Sequence, residues 1–169
     1  MNLDLVDLGR DLWRPANDTV MGGRSVSSLR FNESETLVFE GTVSLENGGG
    51  FASVKFRIDP IDLAKYESLR VRVRGDSNIY QVRLRTGTDS DGVAYAAPFR
   101  TESEEWETCA IPLSDFEARF RGRRVPDAPP LGAATIRQIG FLIGDRQEGP
   151  FRLEIDSVGL LRPTQGKTV

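Results

Sequence analysis

Hydrophobic and polar residues alternate along much of this chain with a period of two. The clearest alternating runs are 37–45, 52–58, 70–74, 81–85 and 151–156. Successive side chains of a β-strand point to opposite faces of a sheet. The alternation therefore predicts strands that have one face in a core and the other face in water.

A further run, Ile-Gly-Phe-Leu-Ile at 139–143, is apolar on both faces and predicts a central strand. Turn-forming residues separate the runs at hairpin spacing, as in 47–50, 75–78 and 87–92. We count about ten strands in all, which predicts an all-β fold of two packed antiparallel sheets, a β-sandwich.

Helical signals are short. Residues 62–68, which follow Pro60, predict one or two helical turns capped by Asp59 or Asp62. A second short turn is predicted over 114–120. Because no repeat and no linker-like change of composition interrupts the chain, we expect one domain over 1–169.

Two scarce residue types limit the chemistry. The chain of 169 residues has no histidine and a single cysteine. This excludes Ser-His and Cys-His nucleophilic pairs, histidine-ligated zinc, cysteine-cluster metal sites and intrachain disulfides. We predict no cofactor and no metal site, and we expect Cys109 to be a small buried side chain within its strand.

The net charge of −3 argues against a nucleic-acid-binding protein, which needs a clear basic excess. The first seven residues are acidic and lack the basic start and apolar core of a signal peptide. No apolar run approaches the ~18 residues that cross a membrane. We therefore expect a cytoplasmic protein without membrane insertion.

Four arginines form the first candidate binding feature. They are Arg72, Arg74, Arg83 and Arg85. We expect them on the same side of two strands that the 75–78 turn could pair. Facing like charges are unfavourable unless acids interleave or a ligand covers them. One interpretation is a salt-bridged outer face that includes Glu154, Asp156 or Glu107, and the other is a polar concave face for a partner protein, an anion or a sugar.

The second candidate is the segment 13–25, which contains a tryptophan, a turn and two adjacent glycines. Its candidate binding residues are Trp13, Asn17, Asp18, Met21, Gly22 and Gly23. Glycine pairs allow backbone angles that other residues avoid, so the segment is expected to have a fixed, irregular shape. Trp13 either packs beneath this turn or forms an aromatic platform at a binding cleft.

The third candidate is the proline-rich stretch 120–131, which carries Arg121, Arg123 and Arg124. Its prolines exclude a central strand. A loop of this length is either a crossover around one end of the sandwich or a functional loop.

Two catalytic or metal interpretations have weaker support. Asp-Ser-Asp-Gly at 89–92 is similar to the start of a calcium loop but lacks the later ligands. Glu154 and Asp156 are two residues apart on one strand, about 6.5–7 Å, a separation at which carboxylate pairs hydrolyse glycosides. Alternating acids on a strand are also an ordinary surface pattern.

Seven sequence blocks together resemble one protein family. They are NDTVMGGRS at 17–25, GGFAS at 49–53, YQVRLR at 80–85, IPL at 111–113 after Trp106, RGR at 121–123, IGFLI at 139–143 and LEIDSV at 153–158. In order and spacing they resemble the complex I intermediate-associated protein family, over about 13–160. The resemblance implies a β-jelly-roll related to galactose-binding domains, and a chaperone-like binding role in the assembly of respiratory complex I without known catalysis. The chain resembles the compact bacterial form of the family.

We therefore predict a non-enzymatic binding protein whose partner is a protein, such as a subunit of the respiratory complex. The alternative is a carbohydrate-binding module that uses Trp13, Tyr80, Tyr95 and Trp106. A glycosidase-like enzyme built on Glu154 and Asp156 is the remote alternative.

Overall fold

The computed structural model describes residues 2–3, 14–17, 26–34, 36–45, 50–86, 93–120, 123–144 and 147–163. Over these ranges the chain forms thirteen β-strands and three short 3-10 helices. The strands are β1 (Asn2–Leu3), β2 (Arg14–Asn17), β3 (Val26–Phe31), β4 (Leu37–Val43), β5 (Ala52–Asp62), β6 (Ser68–Arg74), β7 (Ile79–Arg85), β8 (Ala94–Arg100), β9 (Trp106–Pro112), β10 (Glu117–Phe120), β11 (Arg123–Arg124), β12 (Thr135–Ile143) and β13 (Gly149–Leu161).

The strands form two antiparallel sheets. The six-stranded sheet has the order β3-β4-β13-β6-β9, with β1 paired to the C-terminal half of β13. The seven-stranded sheet has the order β11-β10-β8-β7-β12-β5-β2. The predicted all-β, two-sheet architecture is confirmed. The central position of 139–143 is confirmed too, because β12 lies between β7 and β5.

The inner faces of both sheets share one hydrophobic core, as the period-two pattern predicts. Its fully buried side chains include Phe39, Leu69 and Leu153 from the six-stranded sheet and Tyr80, Leu84 and Phe141 from the seven-stranded sheet. Burial of each such side chain is worth about 1.5–3 kcal/mol relative to exposure. The core therefore holds the two sheets face to face and leaves their outer faces as the broad surfaces of the molecule.

The connection between β6 and β7 crosses from one sheet to the other, so the predicted hairpin at 75–78 is wrong. Both edges of β6 are already paired, with β13 and β9, and both edges of β7 are paired with β12 and β8. Asp76 stabilises the crossing, because its carboxylate accepts hydrogen bonds from the Asn78 amide at 3.2 Å and the Tyr80 hydroxyl at 3.0 Å. It also accepts one from the Arg152 amide of β13 at 2.7 Å.

The two predicted helical turns are present as 3-10 helices at Leu63–Lys65 and Leu113–Asp115. Asp62 caps the first, since its carboxylate accepts the Ala64 amide at 3.0 Å. The predicted extension of the second turn through Phe120 is wrong, because 117–120 forms strand β10 beside β8. A third 3-10 helix, Leu131–Ala133, ends the proline-rich stretch.

The first residues of the proline-rich stretch lie outside the centre of the sheet, as its prolines predict. Arg123 and Arg124 form β11 at the edge of the seven-stranded sheet, where a strand needs only one hydrogen-bonded neighbour. Cys109 packs against the core but stays partly exposed, and its thiol donates a hydrogen bond to Glu107 at 3.7 Å.

Candidate functional site

The outer face of the six-stranded sheet carries a chain of ion pairs, which we call the sheet-A network. Its members are Arg30, Glu40, Arg72, Arg74, Arg152, Glu154 and Asp156. Glu40 lies between Arg30 at 3.3 Å and Arg152 at 3.4 Å. Arg152 also pairs with Glu154 at 3.2 Å. The arginines and acids come from four neighbouring strands, so the predicted interleaving by Glu154 and Asp156 is confirmed.

Glu154 is the buried centre of this network, with only 3% of its surface exposed. Its carboxylate accepts hydrogen bonds from Arg74 Nε and Arg152 Nη2. The hydrogen bond from Arg74, followed by that from Arg152, lowers the pKa of Glu154 although burial opposes the shift. Asp156 pairs with Arg72 at 3.3 Å and is about half exposed.

This electrostatic setting does not suit glycoside hydrolysis. The acid catalyst of a glycosidase needs a raised pKa so that it still carries a proton near neutral pH. The arginines hold Glu154 in its ionised form, and Asp156 already has a partner of its own. The pair acts as a structural counter-charge on the outer face.

Three of the four aromatic residues of the carbohydrate alternative lie in the described part of the chain, and those three do not form a platform. Tyr80 is fully buried, and Tyr95 is buried with its hydroxyl bonded to the carbonyl of Pro129 at 2.6 Å. Trp106 is half-buried at the end of β9, and the guanidinium groups of Arg72 and Arg74 lie 5.2 and 5.1 Å from its ring centroid. The ring therefore already takes part in cation–π contacts on the outer face.

The outer face of the seven-stranded sheet has a different charge pattern. Columns of long cationic side chains alternate there with strands that carry short or neutral ones. Six of the cations on this face are Lys55 and Arg57 on β5, Arg83 and Arg85 on β7, Arg119 on β10 and Arg124 on β11, and Glu117 of β10 is a carboxylate beside them. We call the six cations the sheet-B cations.

Glu117 serves one edge of this face. It accepts hydrogen bonds from Arg119 at 2.9 Å and from Arg124 at 2.5 Å. These two arginines, with Arg124 as the larger cause, lower the pKa of Glu117. The carboxylate therefore neutralises part of the charge at the β10–β11 edge, and on β7 the Nε of Arg83 donates a hydrogen bond to Gln81 at 3.2 Å.

Strand β12 runs between the β5 and β7 columns. Gln138 lies between Arg57 and Arg85 in the register, and Gly140 lies between Lys55 and Arg83. Both β12 residues are buried. An added Cβ at Gly140 would lie 2.6 Å from the carbonyl oxygen of Val54, so the tight β5–β12 pairing requires glycine there.

The expectation that Arg72, Arg74, Arg83 and Arg85 share one side of a paired ribbon is wrong. Arg72 and Arg74 lie on the outer face of the six-stranded sheet, whereas Arg83 and Arg85 lie on the outer face of the other sheet. The cause is the crossing at 75–78, which places β6 and β7 in different sheets. The four arginines therefore belong to two separate surfaces, which differ in their balance of charge.

Sequence analysis missed Lys55, Arg57 and Arg119 as candidates. The alternation of 52–58 does place Lys55 and Arg57 on a solvent face, but only the strand order brings them beside Arg83 and Arg85. Arg123 and Arg124 lie on edge strand β11, and both are exposed. Asn17 is paired through its backbone with Ala52.

Several predicted features lie outside the described residues. They are Trp13, Asp18, Met21, Gly22, Gly23, Arg121 and the 89–92 turn. Within the described ranges, no group of three or more acidic or cysteine side chains is arranged to hold a metal ion. No helix in the described part of the chain is long and apolar enough to cross a membrane.

Comparison with known proteins gives one family. The sequence profile of complex I intermediate-associated protein 30 (CIA30) matches residues 7–155. The mitochondrial complex I intermediate-associated protein 30 of Mus musculus is 28% identical over 89% of this chain and 52% of its own length. The probable mitochondrial counterpart of Caenorhabditis elegans is 29% identical over 91% of this chain and 51% of its own length. The chain thus spans about half the length of these relatives.

Among solved structures, the fold resembles carbohydrate-binding modules. A family 11 carbohydrate-binding module of a Clostridium thermocellum cellulosomal cellulase superposes with a TM-score of 0.70 at 16% identity, covering 99% of this chain and 98% of the module. A second structure of a family 11 module from that organism, in complex with a mixed-linked tetrasaccharide, has a TM-score of 0.66 at 15% identity and covers 95% and 94%. At this identity the likeness shows the jelly-roll fold alone. On the profile match over most of its length, the chain belongs to the complex I intermediate-associated protein 30 (CIA30) family.

Proposed function

We propose that this protein binds a protein partner during the assembly of respiratory complex I (NADH:ubiquinone oxidoreductase) and performs no bond chemistry of its own. The observation that carries the proposal is the family match over residues 7–155, because the relatives that share this domain are named as complex I intermediate-associated proteins.

The charge arrangement supports a binding role. The acids that could act in catalysis, Glu154 and Asp156, are both paired with arginines on the outer face. The paired sheets present two broad outer faces, and both carry charged side chains. A protein of this kind positions a partner without changing it covalently.

Deletion of the gene in the native host tests the proposal. Native gel electrophoresis of membrane extracts should show less mature complex I and more of its partial assemblies. Re-expression of the wild-type chain should restore the mature complex. Affinity capture of the tagged chain during assembly should recover complex I subunits. Normal complex I levels after deletion, together with capture that recovers none of its subunits, would refute the proposal.

Carbohydrate binding is the second candidate. Its support is the fold likeness to the family 11 modules. The burial of Tyr80 and Tyr95 removes two of its four predicted contact residues. A glycan array with the purified protein separates the two proposals, since the assembly role predicts no glycan signal above background. Cell fractionation will test the predicted cytoplasmic location.

A further inference from the structure

We propose that β9 binds an extended segment of the partner protein, which pairs with the outer edge of β9 and adds one strand to the six-stranded sheet. This inference rests on the proposed function in one respect, namely that the partner is a protein. The segment that fits carries a lysine or arginine opposite Glu107 and apolar residues opposite Cys109 and Ile111.

Strand β9 is the longest edge strand in the described part of the chain. It lies at one end of the six-stranded sheet, beside β6, and no described strand pairs with its other edge. The other edge strands are shorter: β11 has two residues, β2 has four and includes Pro15, and β3 has six and contacts β2 and β5 of the facing sheet. Proteins protect long free edges with prolines or lysines, and β9 has neither before Pro112 at its end.

The direction of the amides along β9 follows from its last residues. Leu113, directly after β9, donates its amide to the carbonyl of Glu67 at 2.9 Å, on the β6 side. Pro112 has no amide proton, which suits a position that faces away from β6. Main-chain groups turn to opposite edges at successive residues of an antiparallel strand. The residues that turn their amides and carbonyls to the free edge are therefore Trp106, Thr108 and Ala110.

The inner face of β9 is only partly covered by the core. Glu107, Cys109 and Ile111 point inward, because their partners on β6 are fully buried. Ile111 is buried too, whereas Glu107 and Cys109 are half-buried. An added strand would lie about 4.8 Å from β9 and would place alternate side chains beside these residues. Apolar side chains opposite Cys109 and Ile111 would extend the hydrophobic core.

Glu107 determines which segment fits. Its carboxylate accepts hydrogen bonds from the Glu102 amide at 2.8 Å and from the Cys109 thiol at 3.7 Å. No lysine or arginine in the described part of the chain forms an ion pair with it. Covering a carboxylate removes water from it, which is unfavourable unless a cation replaces the water. A lysine or arginine on the added strand supplies that cation.

The same carboxylate disfavours a second copy of this chain as the occupant. Two β9 strands could pair about a two-fold axis only by matching their outward-turned residues. Strand β9 contains no lysine or arginine, so no register of this pairing brings a β9 cation to either Glu107. Both carboxylates would lose water without compensation. Glu107 therefore selects against self-pairing and in favour of a different, basic partner segment.

Amide hydrogen exchange of the purified full chain, followed residue by residue with NMR, is the first test. In the free protein the Thr108 and Ala110 amides should exchange at least about tenfold faster than those of Cys109 and Ile111, because only the latter are bonded to β6. Equal protection of all four amides would show that the edge is already occupied, which would overturn the proposal.

The binding probe is the synthetic peptide Thr-Val-Thr-Val-Thr-Lys-Thr with blocked ends, about 23 Å long when extended. Laid antiparallel along β9, it places its lysine opposite Glu107 and its two valines opposite Cys109 and Ile111. It should slow the exchange of the Thr108 and Ala110 amides as its concentration rises. The same peptide with glutamate in place of lysine should bind at least about tenfold more weakly. Glu107→Gln, which keeps an acceptor for the Glu102 amide, should remove most of that difference.

Ala110→Pro is the test variant, since it removes an outward-turned amide and leaves the bonds to β6 in place. It should weaken binding of the lysine peptide more than about tenfold. Ala110→Val is the matched control, because it changes the same exposed side chain but keeps the amide, and it should bind within about twofold of wild type. If Ala110→Pro does not fold, Thr108→Pro replaces it. If neither folds, the exchange rates of the wild type decide.

Four further results would overturn the proposal. The first is no binding of the lysine peptide, and the second is undiminished binding by folded Ala110→Pro, which would place the peptide elsewhere. The third is equal binding of the lysine and glutamate peptides. The fourth is dimerisation in analytical ultracentrifugation that Ala110→Pro abolishes, which would assign the edge to a second copy of this chain.

The host experiment separates this proposal from the proposed function. If folded Ala110→Pro fails to restore complex I in the deletion strain and Ala110→Val restores it, both proposals are supported. Full restoration by Ala110→Pro would refute the β9 edge as the assembly site but leave the assembly role intact. Peptide binding at the β9 edge, combined with normal complex I in the deletion strain, would support the edge and refute the assembly role.

Discussion

Replacement of Glu154 by glutamine should destabilise the protein more than any other neutralisation of an acid on the same face. The carboxylate offers acceptors to Arg74 and Arg152. The glutamine amide keeps the shape but retains only one acceptor, and its NH₂ group would face one of the arginine donors. The change therefore removes a buried negative charge and leaves two arginines without their shared counter-charge.

The magnitude follows from burial. Removal of one partner of a fully buried ion pair costs about 3–5 kcal/mol. The Glu154 side chain is 4% exposed, but the side chains of Arg74 and Arg152 are 38% and 48% exposed and can be rehydrated. We reduce the cost accordingly to about 2 kcal/mol. For a chain of this length that corresponds to a drop of about 4–8 °C in melting temperature.

Asp156→Asn is the matched control, because Asp156 lies on the same strand and the same outer face. Its ion pair with Arg72 is about half exposed on both sides. Such surface pairs contribute roughly 0–1 kcal/mol. Urea unfolding followed by tryptophan fluorescence, with both variants at neutral pH, gives the two free energies of unfolding on the same scale.

The pH dependence provides an independent check. The pKa of Glu154 in the folded protein lies below its value in the unfolded chain, about 4.3 for glutamate. Its ionised form therefore contributes stability above that pH, and the contribution is lost as the pH falls through the folded value. The stability gap between wild type and Glu154→Gln should be constant from neutral pH to about pH 5 and should shrink in more acidic solution. A Glu154→Gln variant no less stable than Asp156→Asn, or a gap that does not change in acid, would refute the buried counter-charge.

Three further predictions concern other parts of the fold. Gly75→Ala should lower the free energy of unfolding in urea by about 1–3 kcal/mol, because the added Cβ would lie 2.2 Å from the buried Thr101 side chain. Gly132→Ala is the control and should be neutral or slightly stabilising, since no atom lies within 4 Å of its Cβ. Equal effects of the two substitutions would contradict the packing argument. Tyr80→Phe should lose about 1 kcal/mol near neutral pH. Burial raises the pKa of Tyr80 above its unfolded value. The wild type should therefore lose stability above about pH 10 more steeply than the variant. Parallel curves of unfolding free energy against alkaline pH would count against this. Burial also raises the pKa of the Cys109 thiol, so iodoacetamide should react faster after denaturation, and equal rates would show that the thiol is not protected.

The strand pattern was predictable because its cause is local. Alternation such as that of 81–85 depends only on which side chains can enter a core, and the sheets confirm it from β4 to β13. The cap at Asp62 was predictable for the same reason, since a carboxylate next to a turn can reach an amide two residues away. Strand β10 was not, because its pairing with β8 overrides the turn signals at 114–115.

The arrangement of the candidate site could not be predicted from the local sequence pattern. The alternation of neighbouring residues predicted that the four arginines face outward, namely Arg72, Arg74, Arg83 and Arg85. Their division between two sheets, however, depends on the crossing at Asp76. Residues 55 and 83, almost thirty positions apart, lie on opposite sides of β12 only because β12 returns from the far end of the chain to lie between them.

The amino-acid sequence by itself determined the β-class of this protein, the facing of most side chains, the absence of histidine chemistry and the family, because each depends on residue identity and short-range order. The tertiary structure alone decided which charges meet, pairing Glu154 with Arg74 and Arg152 and placing Lys55 and Arg83 on the two strands beside β12. The physical reason is that an ion pair depends on distances of a few ångströms between side chains, and in a sandwich the order of the strands sets those distances.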